Sequence, residues 1–204
     1  MIIMLKRLVI GFAVASVFSA ALVSARSAQA PAGPRFEISF APGARAEAVT
    51  GRVYVAIARD SERTPARGSN AKQTPIDLAG PTGSPLFSTM VEGLAAGATA
   101  VIDADEFGHP IQSLRDMPAG EYWVQPFVNV YTKFARKDGH TVWMHMDQWE
   151  GQDWKRSPGN LYGEPVKITF DPASTAPIRL VADKVIPPIE MPADTPLVKR
   201  FRIQ

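Results

Sequence analysis

The stretch Gly51-Arg-Val-Tyr-Val-Ala-Ile-Ala-Arg59 decides the fold. Val53, Val55 and Ile57 recur at every second residue, and side chains that alternate in this way belong to a strand with one face on a core. The same period returns in Arg35 to Phe40, through Phe36, Ile38 and Phe40, and in Pro165 to Phe170, through Val166, Ile168 and Phe170. Further runs with strand composition lie at Leu86 to Val91, Ala98 to Asp103, Glu121 to Thr132, Thr141 to Met146, Ile178 to Ala182 and Val198 to Ile203. Long helical periodicity is missing. Roughly seven to nine short strands with Pro- and Gly-rich connections predict an all-β domain, an antiparallel β-sandwich of immunoglobulin-like or related type. Pro126 falls inside one of the runs and predicts an edge or a bulge there.

Upstream of the first strand the composition changes. Lys6 and Arg7 precede an apolar run from Leu8 to Val23, and the small-residue stretch Ser24-Ala-Arg-Ser-Ala-Gln-Ala30 follows it. That layout predicts a secretory signal peptide over residues 1–30, with exits after Ala25, Ala30 or Ala32. An apolar core of about 16 residues is shorter than the roughly 20 that span a bilayer, so no stable membrane span is expected after cleavage. The expected location is the bacterial periplasm or the medium. The chain has 22 Lys+Arg against 20 Asp+Glu, but three of the bases and none of the acids lie in residues 1–30. A near-neutral body without basic runs argues against nucleic-acid binding, which needs a concentrated positive footprint. With no cysteine in 204 residues, disulfide staples and thiolate-ligated metals are excluded, and the stability must come from core burial.

Residues 31–185 are expected to form the β-sandwich domain and residues 186–204 a Pro-rich linker or final strand, with Pro187, Pro188, Pro192 and Pro196 in the tail. Two connections exceed ordinary loop length. Asp60 to Pro85 is polar, has Ile76 and Leu78 as its apolar anchors, and reads as mobile. Asp147 to Glu164 carries Trp149, Trp154 and Tyr162 and should pack onto something.

Chemistry is concentrated in one place: three of the four Trp and two of the three His lie between His140 and Trp154. On a strand from Thr141 to Met146, Trp143 and His145 share one face and Val142, Met144 and Met146 the other. The turn signal Lys137-Asp138-Gly139 predicts a hairpin with Glu121 to Thr132, which would join Trp123, Phe127 and Tyr131 to Trp143 in an aromatic surface. Such a surface stacks on sugars or aromatic ligands when open. The competing expectation has the following loop fold back and cover it with Trp149, Trp154, Leu161 and Tyr162. Either way Trp143, His145, Asp147, Trp149, Glu150, Asp153 and Trp154 are the candidate ligand-binding residues.

Neither a metal nor a cofactor is expected. His140 and His145 would point to opposite faces of one strand, and His145, Asp147, Glu150 and Asp153 read better as solvated turn residues. Asp103-Ala-Asp-Glu-Phe-Gly108 opens like a calcium loop but has Phe107 at a ligand position and Leu114 where a bidentate Glu is needed. Ser84, Ser88, Ser113 and Ser157 lie outside any Gly-x-Ser-x-Gly elbow, so the expectation is a protein without catalysis of its own.

Three segments carry a resemblance: Thr50-Gly-Arg-Val-Tyr-Val55, Leu114-Arg-Asp-Met-Pro-Ala-Gly-Glu-Tyr-Trp-Val-Gln125 and His140-Thr-Val-Trp-Met-His-Met-Asp-Gln-Trp-Glu-Gly151. They resemble the N-terminal region of bacterial exported esterase-type proteins, in which a β-sandwich-like region precedes an α/β-hydrolase domain. The resemblance spans roughly residues 35–203. It implies a non-catalytic accessory domain whose partner is a hydrolase domain. The chain is expected to be without that domain, since it stops at Gln204, about where the esterase part begins. The alternatives are a stand-alone module for a carbohydrate or small ligand, built on the Trp143 to Trp154 segment, and a hydrolase in its own right.

Overall fold

The computed structural model describes residues 33–190 and 193–199. The expected signal segment lies outside the described residues, as do Phe201 to Ile203; Val198 and Lys199 are not in a strand. The strands are β1 Arg35–Phe40, β2 Val49–Ala58, β3 Leu86–Leu94, β4 Ala100–Ile102, β5 Gly108–His109 and β6 Gly120–Val130. They continue with β7 Thr132–Ala135, β8 Thr141–Met144, β9 Leu161–Tyr162, β10 Val166–Phe170, β11 Pro177–Ala182 and β12 Lys184–Val185. Nine of these are three residues or longer, within the expected range, and β5, β9 and β12 are two-residue ladders. The only α-helix among the described residues is α1, Pro75–Leu78.

A seven-stranded antiparallel sheet runs β12-β9-β6-β2-β3-β5, with β10 also paired to β6. A three-stranded sheet runs β11-β1-β4, in which β1 pairs with β4 antiparallel and with β11 in parallel. Among the described strands this parallel pair departs from an all-antiparallel sandwich. Alternation sets how the sheets meet. Phe36, Ile38 and Phe40 of β1 and Val53, Val55 and Ile57 of β2 all lie in one buried cluster with Phe87, Ile102, Val124, Val128, Leu161 and Phe170. Phe36 and Phe170 stack with centroids 6.5 Å apart. Each such aliphatic or aromatic side chain contributes about 1.5–3 kcal/mol on leaving water.

The other face of the same strands carries Arg52, Tyr54 and Ala56 of β2, next to Asn129, Phe127 and Gln125 of β6. A second, smaller cluster closes it: Ala56, Ile76, Ala79 and Phe127 are buried, with Tyr54, Leu86, Trp154, Tyr162 and Ile186 packed around them. This face is covered by α1 and by loops.

Three expectations change here. First, the hairpin partner of β8 is β7 and not the Glu121 to Thr132 run, with Lys133 opposite Trp143 and Phe134 opposite Val142. A strand has two edges, and both edges of β6 are taken, one by β2 and the other by β10 and β9. The expected turn at Lys137-Asp138-Gly139 does close the β7–β8 ribbon, with Gly139 at φ +85°. Second, the Asp60 to Pro85 connection is held in place. Thr74 caps α1, its hydroxyl accepting from the Asp77 N–H while the Asp77 carboxylate accepts from the Thr74 N–H. Ile76 is buried, and its N–H donates to the buried Gln125 side chain at 3.2 Å. Lys72 pairs with Asp60 at 2.8 Å across the base of the loop. Third, Pro126 lies well inside β6, where the opposite edge passes from β10 to β9, and its carbonyl accepts from the Gly163 N–H.

Candidate functional site

The candidate residues gather over the outer face of the seven-stranded sheet, but they do not form one surface. His145, two residues past the β8 position of Trp143, places Nδ1 3.2 Å from Asn129 Oδ1 and Nε2 2.8 Å from Glu150 Oε1. Both partners present oxygen, and both ring nitrogens are engaged. The Glu150 side chain is 0% exposed. Its second oxygen accepts from the Gln148 N–H, so this buried carboxylate is bonded on both sides. Asn129, itself buried, extends the chain of bonds to the Tyr54 hydroxyl. Burial, with the neighbouring Tyr131 phenol second, pushes the Tyr54 hydroxyl up to about 12 against the pull of Arg52 and the Asn129 bond.

Trp154 lies flat on Tyr54, with ring centroids 4.6 Å apart, and meets the Phe127 ring edge-on at 5.3 Å. Asn160 fastens the far end of the segment: its Oδ1 accepts from the Val130 N–H at 2.8 Å and its Nδ2 donates to the Trp154 carbonyl at 2.7 Å. The Gln148 amide reaches the Pro158 carbonyl at 2.7 Å. The segment from His145 to Asn160 is therefore a clasp, tied to β6 at Asn129 and Val130 and weighted by Trp154.

Two aromatic rings are about half exposed. Trp143 is 45% exposed and Trp149 49% exposed. Met144 is 52% exposed, because the β7–β8 ribbon is a separate two-stranded sheet. Lys133 lies over the Trp143 ring at 6.0 Å. Trp149 has φ +82°, a left-handed conformation that is costly for a residue with a bulky side chain. An Asx turn holds it there, in which Asp147 Oδ1 accepts from the Trp149 N–H at 2.9 Å. Burial works to raise the Asp147 carboxyl, but this bond and the one from the Gln152 amide hold it below the usual carboxylate range.

The expected joint surface of Trp123, Phe127, Tyr131 and Trp143 does not form. Phe127 is buried under Trp154. Trp123 lies at the other end of β6, where its indole N–H donates to Asp60 and the Arg63 guanidinium covers its ring at 4.4 Å. Of the four residues expected to cover that face, Trp154 and Tyr162 do so, Leu161 points into the main core and Trp149 stays exposed. Asp153 precedes the short helical turn that carries Trp154.

Among the described residues no three His, Asp or Glu side chains converge to hold a metal ion. In the calcium-like stretch Asp103 Oδ1 accepts from the Asp105 N–H, and Asp105 pairs with Arg115 at 2.8 Å. Sequence reasoning missed Asn129, Asn160 and Tyr54. Their signal is faint, a polar residue on the outward face of a strand or just ahead of a short one, and only the fold-back of a loop gives it meaning. No family model, curated protein or solved structure matches the chain.

Proposed function

We propose that the chain is an exported, periplasmic or secreted, non-catalytic accessory domain that recognises its partner through Trp143, Met144 and Trp149. The observation that carries this reading is the contrast within one segment: Trp154 is spent on packing, while Trp149 is held exposed at a costly backbone conformation. A loop that stores strain to display a large aromatic ring has the character of a recognition element. The accessory role is supported by the resemblance to the β-sandwich part of exported esterase-type proteins, where the partner is a hydrolase domain. His145 supports a structural role for the clasp, since Asn129 and Glu150 occupy both ring nitrogens and leave neither to take a proton from a nucleophile.

A second reading is favoured by the polar groups around Trp149. Asp147 and Gln152 flank an exposed indole, and an aromatic face beside carboxylate and amide groups suits a sugar ring. Fluorescence titration with cello- and xylo-oligosaccharides separates the two. Saturable quenching lost in Trp149→Ala selects the carbohydrate module. Absence of quenching, with binding to a serine hydrolase domain lost in the same variant, selects the accessory domain. Purified protein is expected to turn over short-chain nitrophenyl esters no faster than buffer. Turnover abolished by one Ser→Ala substitution overturns both readings in favour of a hydrolase.

A further inference from the structure

A cavity of about 570 Å3 opens beside the clasp, between β2, the β5 edge and Trp154. Its side walls are Arg52, Leu86, Ser88, His109, Trp154 and Lys155, with Phe107 at the lip. Every charged residue in this lining is a base, and no carboxylate is among them. Arg52 is half-buried on the outer face of β2, and among the described residues its guanidinium makes one hydrogen bond, to Ser88 Oγ at 3.2 Å. A guanidinium offers five N–H donors, so most of that capacity is unspent in a partly desolvated place. Lys155 donates to the Ala79 carbonyl at 3.2 Å and has two further donors. No carboxylate forms an ion pair with either residue among the described residues.

His109 gives the third polar group. Its Nε2 lies 2.6 Å from the Pro81 carbonyl, an acceptor only, so that nitrogen carries the proton and Nδ1 is left for other use. Flat apolar surface is also present: Trp154 forms one wall, and Phe107 is 80% exposed.

Cations without anions, set between aromatic rings in a concave site, define the complementary ligand. We propose that this cavity is a binding site for a small organic anion, a carboxylate or phosphate carried on a flat ring. Arg52 and Lys155 take the charged end, and Trp154 and Phe107 take the ring. The site is separate from the exposed Trp143 and Trp149, so it neither requires nor supports the partner-recognition reading.

The test uses benzoate as probe and benzamide as its neutral counterpart, followed through the Trp indole N–H resonances of the isotope-labelled exported protein. The expected result is a saturable shift of Trp154 with a dissociation constant on the order of 1 mM, the range open to so small a ligand. Benzamide should bind at least about tenfold more weakly, and added salt should weaken benzoate. Arg52→Met should cost about tenfold or more in affinity, with Arg52→Lys recovering part of it. Lys155→Met, on a loop, gives the same reading if Arg52→Met does not fold. Equal affinity for benzoate and benzamide overturns the proposal, as does unchanged affinity in both methionine variants. Shifts confined to Trp143 and Trp149 overturn it too, because the anion then sits elsewhere.

Discussion

The two faces of strands β2 and β6 are built from alternate residues of the same sequence, yet they are closed in different ways. Inward, Val53, Val55 and Ile57 lie beside Val124 and Val128 of the same sheet and share one apolar cluster with Phe36, Ile38 and Phe40 of the second sheet. Outward, Arg52, Tyr54 and Ala56 lie beside Asn129, Phe127 and Gln125, and a short helix and the His145 to Asn160 clasp cover them through hydrogen bonds and one large ring. A sheet laid on a sheet leaves few gaps. Loops laid on a sheet leave cavities and unspent polar groups. That difference places the Arg52 cavity and the His145–Glu150 pair on the outer side.

The largest effect is expected inward. Phe36→Ala removes a fully buried ring stacked on Phe170 and should cost about 3–5 kcal/mol, measured by urea unfolding. A cost below about 1 kcal/mol would mean that the two sheets are not the principal core. Outward, the sharpest signature is alkaline. The folded state holds the Tyr54 proton up to about 12 against an ordinary value of 10.0, so across that window it binds more protons than the unfolded chain. Stability must therefore fall as the pH rises through it, by an amount on the order of 2–3 kcal/mol. Lys184, raised by its bond to Glu164, adds a slope of the same sign. The difference between wild type and Tyr54→Phe isolates the Tyr54 part, and identical pH profiles would remove Tyr54 from the account. The smallest effect concerns Trp149. Trp149→Gly relieves the left-handed strain at φ +82° and should leave stability unchanged or raise it by up to about 1 kcal/mol, while weakening partner binding. A clear loss of stability would mean that the ring packs.

How much could be read from the chain follows the same division. Period-two alternation located β1, β2 and β10 within two residues at each end, because a buried strand face writes itself into every second position. The outer closure was only half legible. Trp154 and Tyr162 were expected to fold back, and they do, since large aromatics seek burial. Nothing local distinguishes Trp154 from Trp149: the first lands on Tyr54, about a hundred residues away in sequence, and the second is turned outward by an Asx turn on Asp147. The hairpin partner of β8 was misread for a related reason. Pairing depends on which edges other strands have already taken, and β9 and β10, the strands that occupy β6, come later in the chain.

The account rests on a division of labour among three tryptophans within twelve residues, and thermal melts of Trp154→Ala, Trp143→Ala and Trp149→Ala test it directly. Trp154→Ala strips the clasp of its contacts with Tyr54 and Phe127. It should lose about 3 kcal/mol, a fall of roughly 6–12 °C for a domain of this size. Trp143→Ala and Trp149→Ala should stay within about 0.5 kcal/mol of wild type, as substitutions at exposed positions do. Three melts that coincide with wild type, or a large fall in all three, would contradict the claim that one ring closes the outer face and two are displayed.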